Sequence, residues 1–84
     1  MDVSQMLAVP PRIQELERLS AGGPVTEQDV FIVLDHMKGF IDLLHGNKTV
    51  IIRNEPNKMS AILELVGNQC LVAARMVELL KKVN

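Results

Sequence analysis

Residues Met59–Val83 read MSAILELVGNQCLVAARMVELLKKV, and this stretch decides the fold. Met59, Leu63, Val66, Cys70, Ala73, Val77 and Leu80 step along it in alternating fours and threes without a break. Beside them Ile62, Leu65, Gln69, Val72, Met76, Leu79 and Val83 step in threes and fours, with Gln69 the one polar member. At 3.6 residues per turn each series forms a stripe along a helix. One stripe is a seam for one neighbour, and two adjacent stripes require cover on two sides. The pattern predicts a helix over roughly 56–83, about 40 Å long at ~1.5 Å per residue. Gly67 interrupts it in the polar strip, and Lys81 and Lys82 sit favourably in its last turn.

Working back toward the N-terminus, Asn54-Glu55-Pro56-Asn57 reads as a turn and then a helix start, with Asn54 or Asn57 as cap. Lys48–Arg53, KTVIIR, is open to a short strand or another helical turn. A lone strand would have nothing to pair with. An apolar loop or a single turn tucked under the helices is the expectation. Before it, Val30, Val33, Leu34, Met37, Phe40, Ile41 and Leu44 hold a helical period, predicting a second helix over about 27–45 that ends at Gly46-Asn47. Thr26 is its cap and Val25 can staple onto Val30, but Asp29 stands where a capping box prefers Glu or Gln. Gly39, inside the helix, points to a close helix–helix approach. A short first helix opens at Pro10-Pro11, turns Ile13, Leu16 and Leu19 to one side, and stops at Ala21-Gly22-Gly23-Pro24. Residues 1–9 read as a tail with a turn capped by Ser4, and 10–84 as one helical domain.

The totals agree with an all-α class. The chain has 84 residues, 48% of them hydrophobic, with two Phe and neither Tyr nor Trp. An aliphatic, methionine-rich core suits helix-on-helix packing. A chain this short buries only about 60–65% of its unfolded surface. The first two helices bring too few apolar residues to cover both stripes of the third. The architecture expected is therefore a short N-terminal helix plus a long antiparallel helical hairpin, dimerising into a bundle through Leu63, Val66, Cys70, Ala73, Val77 and Leu80.

Nine basic against ten acidic residues give a formal charge of −1, which removes the global electrostatic argument for nucleic acid. Lys48, Arg53 and Lys58 recur at fivefold spacing and form a candidate local basic patch. The second helix, however, begins Thr-Glu-Gln-Asp, which repels phosphate. His36, His45, Asp35 and Asp42 lack the ligand number and spacing of a zinc site, and no cofactor or metal is expected. Ser4, Ser20, Ser60 and Cys70 lack an activating partner nearby in sequence, so catalysis is not expected either. A single cysteine forms no internal disulfide, the start has no secretory pattern, and no stretch approaches ~20 uncharged apolar residues. A cytoplasmic location without membrane contact follows as an expectation. In that setting the sequon Asn47-Lys48-Thr49 carries no meaning.

The start Met1-Asp2-Val3-Ser4-Gln5-Met6, with Asn54-Glu55-Pro56-Asn57 leading into an apolar helix that ends Val77-Glu78-Leu79-Leu80-Lys81-Lys82, resembles the inner-rod proteins of bacterial type III secretion. The resemblance covers the last third of the chain and a few N-terminal residues. Cys70, and the scarcity of glutamine around it, depart from that pattern. It implies a helical subunit of a secretion-type assembly. The residues themselves favour a non-catalytic protein–protein interaction module, a small regulator, adaptor or antagonist, that pairs with itself and with another protein. A dimeric nucleic-acid-binding regulator using the 48–58 connector is the alternative.

Overall fold

The computed structural model describes residues 9–83. The tail expected over 1–9, with its turn capped by Ser4, lies outside the described residues except for Val9. Among the described residues four helices follow one another: α1 Pro11–Leu19, α2 Glu27–Gly46, α3 Lys48–Asn54 and α4 Pro56–Val83. Among the described residues there is no strand, and the all-α class holds.

α1 begins on Pro11, whose missing N–H is one the first turn would leave unpaired anyway. Ile13 and Leu16 are buried and Leu19 is partly so, as their spacing predicts. The helix ends where Gly23 takes φ +79°, a left-handed conformation that only glycine adopts without steric cost. Ser20, buried at that end, donates its hydroxyl to the carbonyl of Glu17 at 2.6 Å.

α2 starts on a complete capping box. The Asp29 amide donates to Thr26 Oγ1 at 3.2 Å, and the Thr26 amide donates to Asp29 Oδ2 at 2.9 Å. The imperfect box expected from an Asp at this position is thus corrected, because its carboxylate reaches back as a Glu would. The other oxygen, Oδ1, accepts from Arg12 Nη2 of α1 at 2.7 Å. One nearly buried carboxylate therefore caps α2 and ties α1 to it. Gly39 does not mark a close approach: a Cβ built there meets nothing within 4 Å.

The connector 48–53 is neither loop nor single turn; it forms α3. Asn47 ends α2 and its carbonyl accepts from the Ile51 amide at 3.0 Å, so the chain turns and resumes helix at once. With no partner strand, the β-branched run has only its own carbonyls to satisfy its amides. Ile51 alone is tucked in, while Val50 and Ile52 stay exposed. α4 spans 56–83 as its two stripes predict, but neither Asn54 nor Asn57 caps it. Asn54 belongs to α3, and the Glu55 carbonyl accepts from the amides of Lys58 and Met59 at 3.0 and 3.1 Å. Pro56 keeps Glu55 out of the helical region and supplies the first residue of α4.

Two apolar clusters hold these helices together. One joins Ile13 and Leu16 of α1, Val30 and Val33 of α2, and Val72 and Met76 of α4. The other joins Phe40 and Leu44 of α2, Ile51 of α3, and Ile62 and Val66 of α4. The start of α2 thus meets the later part of α4, and the end of α2 meets the earlier part. Each fully buried aliphatic side chain here contributes roughly 1.5–3 kcal/mol of transfer free energy. Between the clusters His36 and Gln69 face each other.

Candidate interaction face

The six-residue seam expected on α4 is split by the fold. Val66 and Ala73 lie in the chain's own core, and Leu80 packs against it half-buried. Leu63, Cys70 and Val77 remain exposed. A seam of all six as an interface with another chain is therefore corrected. Successive helical residues differ by about 100°, so Val66 and Ala73 stand on the inward side of the row and Leu63, Cys70 and Val77 on its outward side. The second row is the one consumed internally, with Ile62, Gln69, Val72 and Met76 all buried.

α2 exposes a matching edge. Val33, Phe40 and Leu44 point into the clusters, while Leu34 and Ile41, one residue round the wheel, stay open. Met37 joins the two edges: its Sδ lies 3.5 Å from Cys70 Sγ, with the thiol as donor. Leu34 and Ile41 are 45% and 46% exposed, and Leu63 and Val77 51% and 43%. Those values fall midway because each side chain leans on a helix yet has nothing above it. α1 and α3 cover the opposite flank, where Ile32 packs on the first cluster and Leu43 and Leu65 on the second. The result is an apolar face along α2 and α4 that no other element of the described chain covers.

Inside, Gln69 is 0% exposed and its Oε1 lies 2.9 Å from His36 Nδ1. Its Nε2 is buried without a partner. The His36 ring also stands edge-on to Phe40, with centroids 4.6 Å apart. His36 is thus half-buried and hydrogen-bonded, whereas His45 is exposed near the end of α2. The lone Gln in an apolar row was the signal for this polar contact, but sequence offered no way to name its partner.

The three basic residues do not form one stripe. Lys48 and Arg53 lie five apart on α3, about 140° around it. Lys48 Nζ donates to the His45 carbonyl at 3.4 Å, and Lys58 pairs with Glu55 at 3.0 Å on α4. Among the described residues no three of His, Cys, Asp and Glu come together. The hydroxyl of Ser20 is engaged as described, and the side-chain amide of the sequon residue Asn47 donates to the Leu43 carbonyl at 2.9 Å. Pro56–Lys82 qualifies, by length and composition alone, as long and apolar enough to cross a membrane, although it is interrupted by charged residues such as Glu64, Arg75 and Glu78. Core helices pass the same test, and here Ile62, Val72 and Met76 of that helix are buried in the chain's own clusters.

No family model matches the chain, and neither a curated protein nor a solved structure matches it.

Proposed function

We propose that this protein is a non-catalytic protein–protein interaction module, a small regulator, adaptor or antagonist, that acts as a homodimer through the uncovered face of α2 and α4. The observation that carries this reading is the half-exposed state of Leu34, Ile41, Leu63 and Val77 on one side of the molecule. Contiguous apolar surface of this kind is the usual mark of a protein contact. The opposite order in which the two clusters join α2 and α4 supports an antiparallel hairpin as the unit that pairs. The basic residues favour no second reading, because Lys48 and Arg53 diverge and Lys58 is held by Glu55.

Molar mass in solution tests it. Light scattering is expected to give twice the 9.3 kDa chain mass, and Leu63→Asp with Val77→Asp is expected to return it to one chain with helical content unchanged. A monodisperse 9.3 kDa species at high concentration overturns the homodimer.

A further inference from the structure

α1 is tied to the body of the molecule at few points. Among the described residues one ion pair joins it to another helix, Arg12 Nη2 to Asp29 Oδ1 at 2.7 Å. The other polar contacts of its segment close on the segment itself. Gln14 donates to the Val9 carbonyl, Ser20 to that of Glu17, and Arg12 Nη1 pairs with Glu15. The amides of Ala21, Gly22 and Gly23 turn back to the carbonyls of Arg18 and Leu19. The apolar hold consists of Ile13 and Leu16, buried in the first cluster, with Val9 and Leu19 partly buried beside them.

The rest of the fold has supports in which α1 takes no part. The second cluster, which joins α2, α3 and α4, contains no residue of α1. His36 and Gln69 link α2 to α4 directly. Asp29 divides its two oxygens: Oδ1 accepts from Arg12, whereas Oδ2 accepts from the Thr26 amide, so the capping box of α2 survives the loss of Arg12. Gly22 and Gly23 stand between α1 and α2, and glycine is the residue whose backbone swings most freely. A Cβ built at Gly22 meets nothing within 4 Å, so nothing packs against that joint.

We propose that α1 is a strap that opens as a unit while α2, α3 and α4 stay folded, uncovering an apolar groove of Val30, Val33, Val72 and Met76. Opening of one element ahead of the whole is the behaviour of segments with few buried contacts. Nine residues are too few to hold a helix in water, so α1 melts as it leaves. Its amide hydrogens then exchange with solvent each time the strap opens. The groove lies on the flank opposite the uncovered face, and the chain presents it only in the open state. This device is independent of the homodimer reading and holds for one chain or two.

Hydrogen exchange of the full chain, followed by NMR at one fixed protein concentration, tests it. The amides of residues 15–20 are expected to exchange roughly tenfold or more faster than the slowest amides of α2 and α4, and with a weaker dependence on urea, because strap opening exposes less surface than global unfolding. Ile51→Val trims the second cluster, which stays intact when the strap opens. It is expected to speed the slowest α2 and α4 amides about twofold to tenfold and to leave residues 15–20 unchanged. Arg12→Ala, which removes a contact made only in the closed state, is expected to speed residues 15–20 about twofold to fivefold. Residues 15–20 that exchange at the rate of the slowest amides, that respond to Ile51→Val by the same factor as those amides, or that ignore Arg12→Ala overturn the strap.

Discussion

Gln69 and His36 share one hydrogen bond, yet their removal is expected to act with opposite signs. Gln69 is wholly buried between the two clusters and presents an amide with two polar ends. One end meets His36 Nδ1 at 2.9 Å and the other, Nε2, meets nothing. Turning the amide over would only exchange which end is orphaned. In Gln69→Leu the hydrogen bond is lost, at about 1 kcal/mol, while an unpaired buried donor costing ~1–3 kcal/mol disappears. Apolar carbon replaces the amide, adding roughly 0.8 kcal/mol per buried methylene equivalent. His36, being half-buried, recovers a water for its nitrogen. The net expectation is stabilisation by about 1–2 kcal/mol. In His36→Ala the same hydrogen bond goes, the edge contact with Phe40 goes with it, and Gln69 is left buried with neither end paired. Those losses sum to about 3 kcal/mol of destabilisation. Urea unfolding at one fixed protein concentration reads both, since self-association would otherwise move the midpoint. With a slope near ~1 kcal/mol/M for a chain of this size, the midpoint should rise by about 1–2 M in Gln69→Leu and fall by about 3 M in His36→Ala. Two variants that both lose a similar amount would refute the reasoning, because Gln69 would then be fully satisfied in solution.

Other expectations are independent of that pair. Asp29→Ala removes half of the α2 capping box and the Arg12 contact together, and should cost about 2 kcal/mol in the same unfolding assay; a loss no larger than that of Arg12→Ala alone would show the box to be idle. Gly39→Ala and Gly67→Ala each place a methyl group in open space, so each should stabilise its helix by up to ~1 kcal/mol. For Gly67 that gain is to be read at a concentration where the chain is monomeric, and a loss at Gly39 would mean that a neighbour packs there. The Asp42 hydrogen bond and charge raise the Lys38 pKa above its ordinary 10.5. The stability from this pair is therefore fully present below that value and is lost as pH rises through the raised one. Asp42→Asn should flatten the alkaline decline in thermal midpoint slightly, the effect being small because both side chains are exposed; an unchanged decline would remove the pair from the account.

Helix positions and helix faces were legible from residues in very different degrees. The limits 56–83 and 27–46 rest on local causes: Pro56, Thr26, Gly46-Asn47 and a sustained apolar period. The count of two stripes on the last helix, and the shortage of partners for them, also required nothing beyond the sequence. A helical period specifies the angles between residues, however, and leaves the rotation of the whole helix free. Only the packing of α4 against α2, with α1 and α3 closing one flank, turned Ile62, Gln69 and Met76 inward, drew Val66 and Ala73 after them, and left Leu63, Cys70 and Val77 outside. Residues 48–54 were undecided for a related reason. A β-branched run follows whichever backbone partners it finds, and the described residues offer no strand. Contacts between distant positions, Arg12 with Asp29 and His36 with Gln69, came into view only with the fold. Sequence determined that Met59–Val83 needs cover on two sides; tertiary structure decided which side the chain covers itself, because rotation about a helix axis is set by what packs against it.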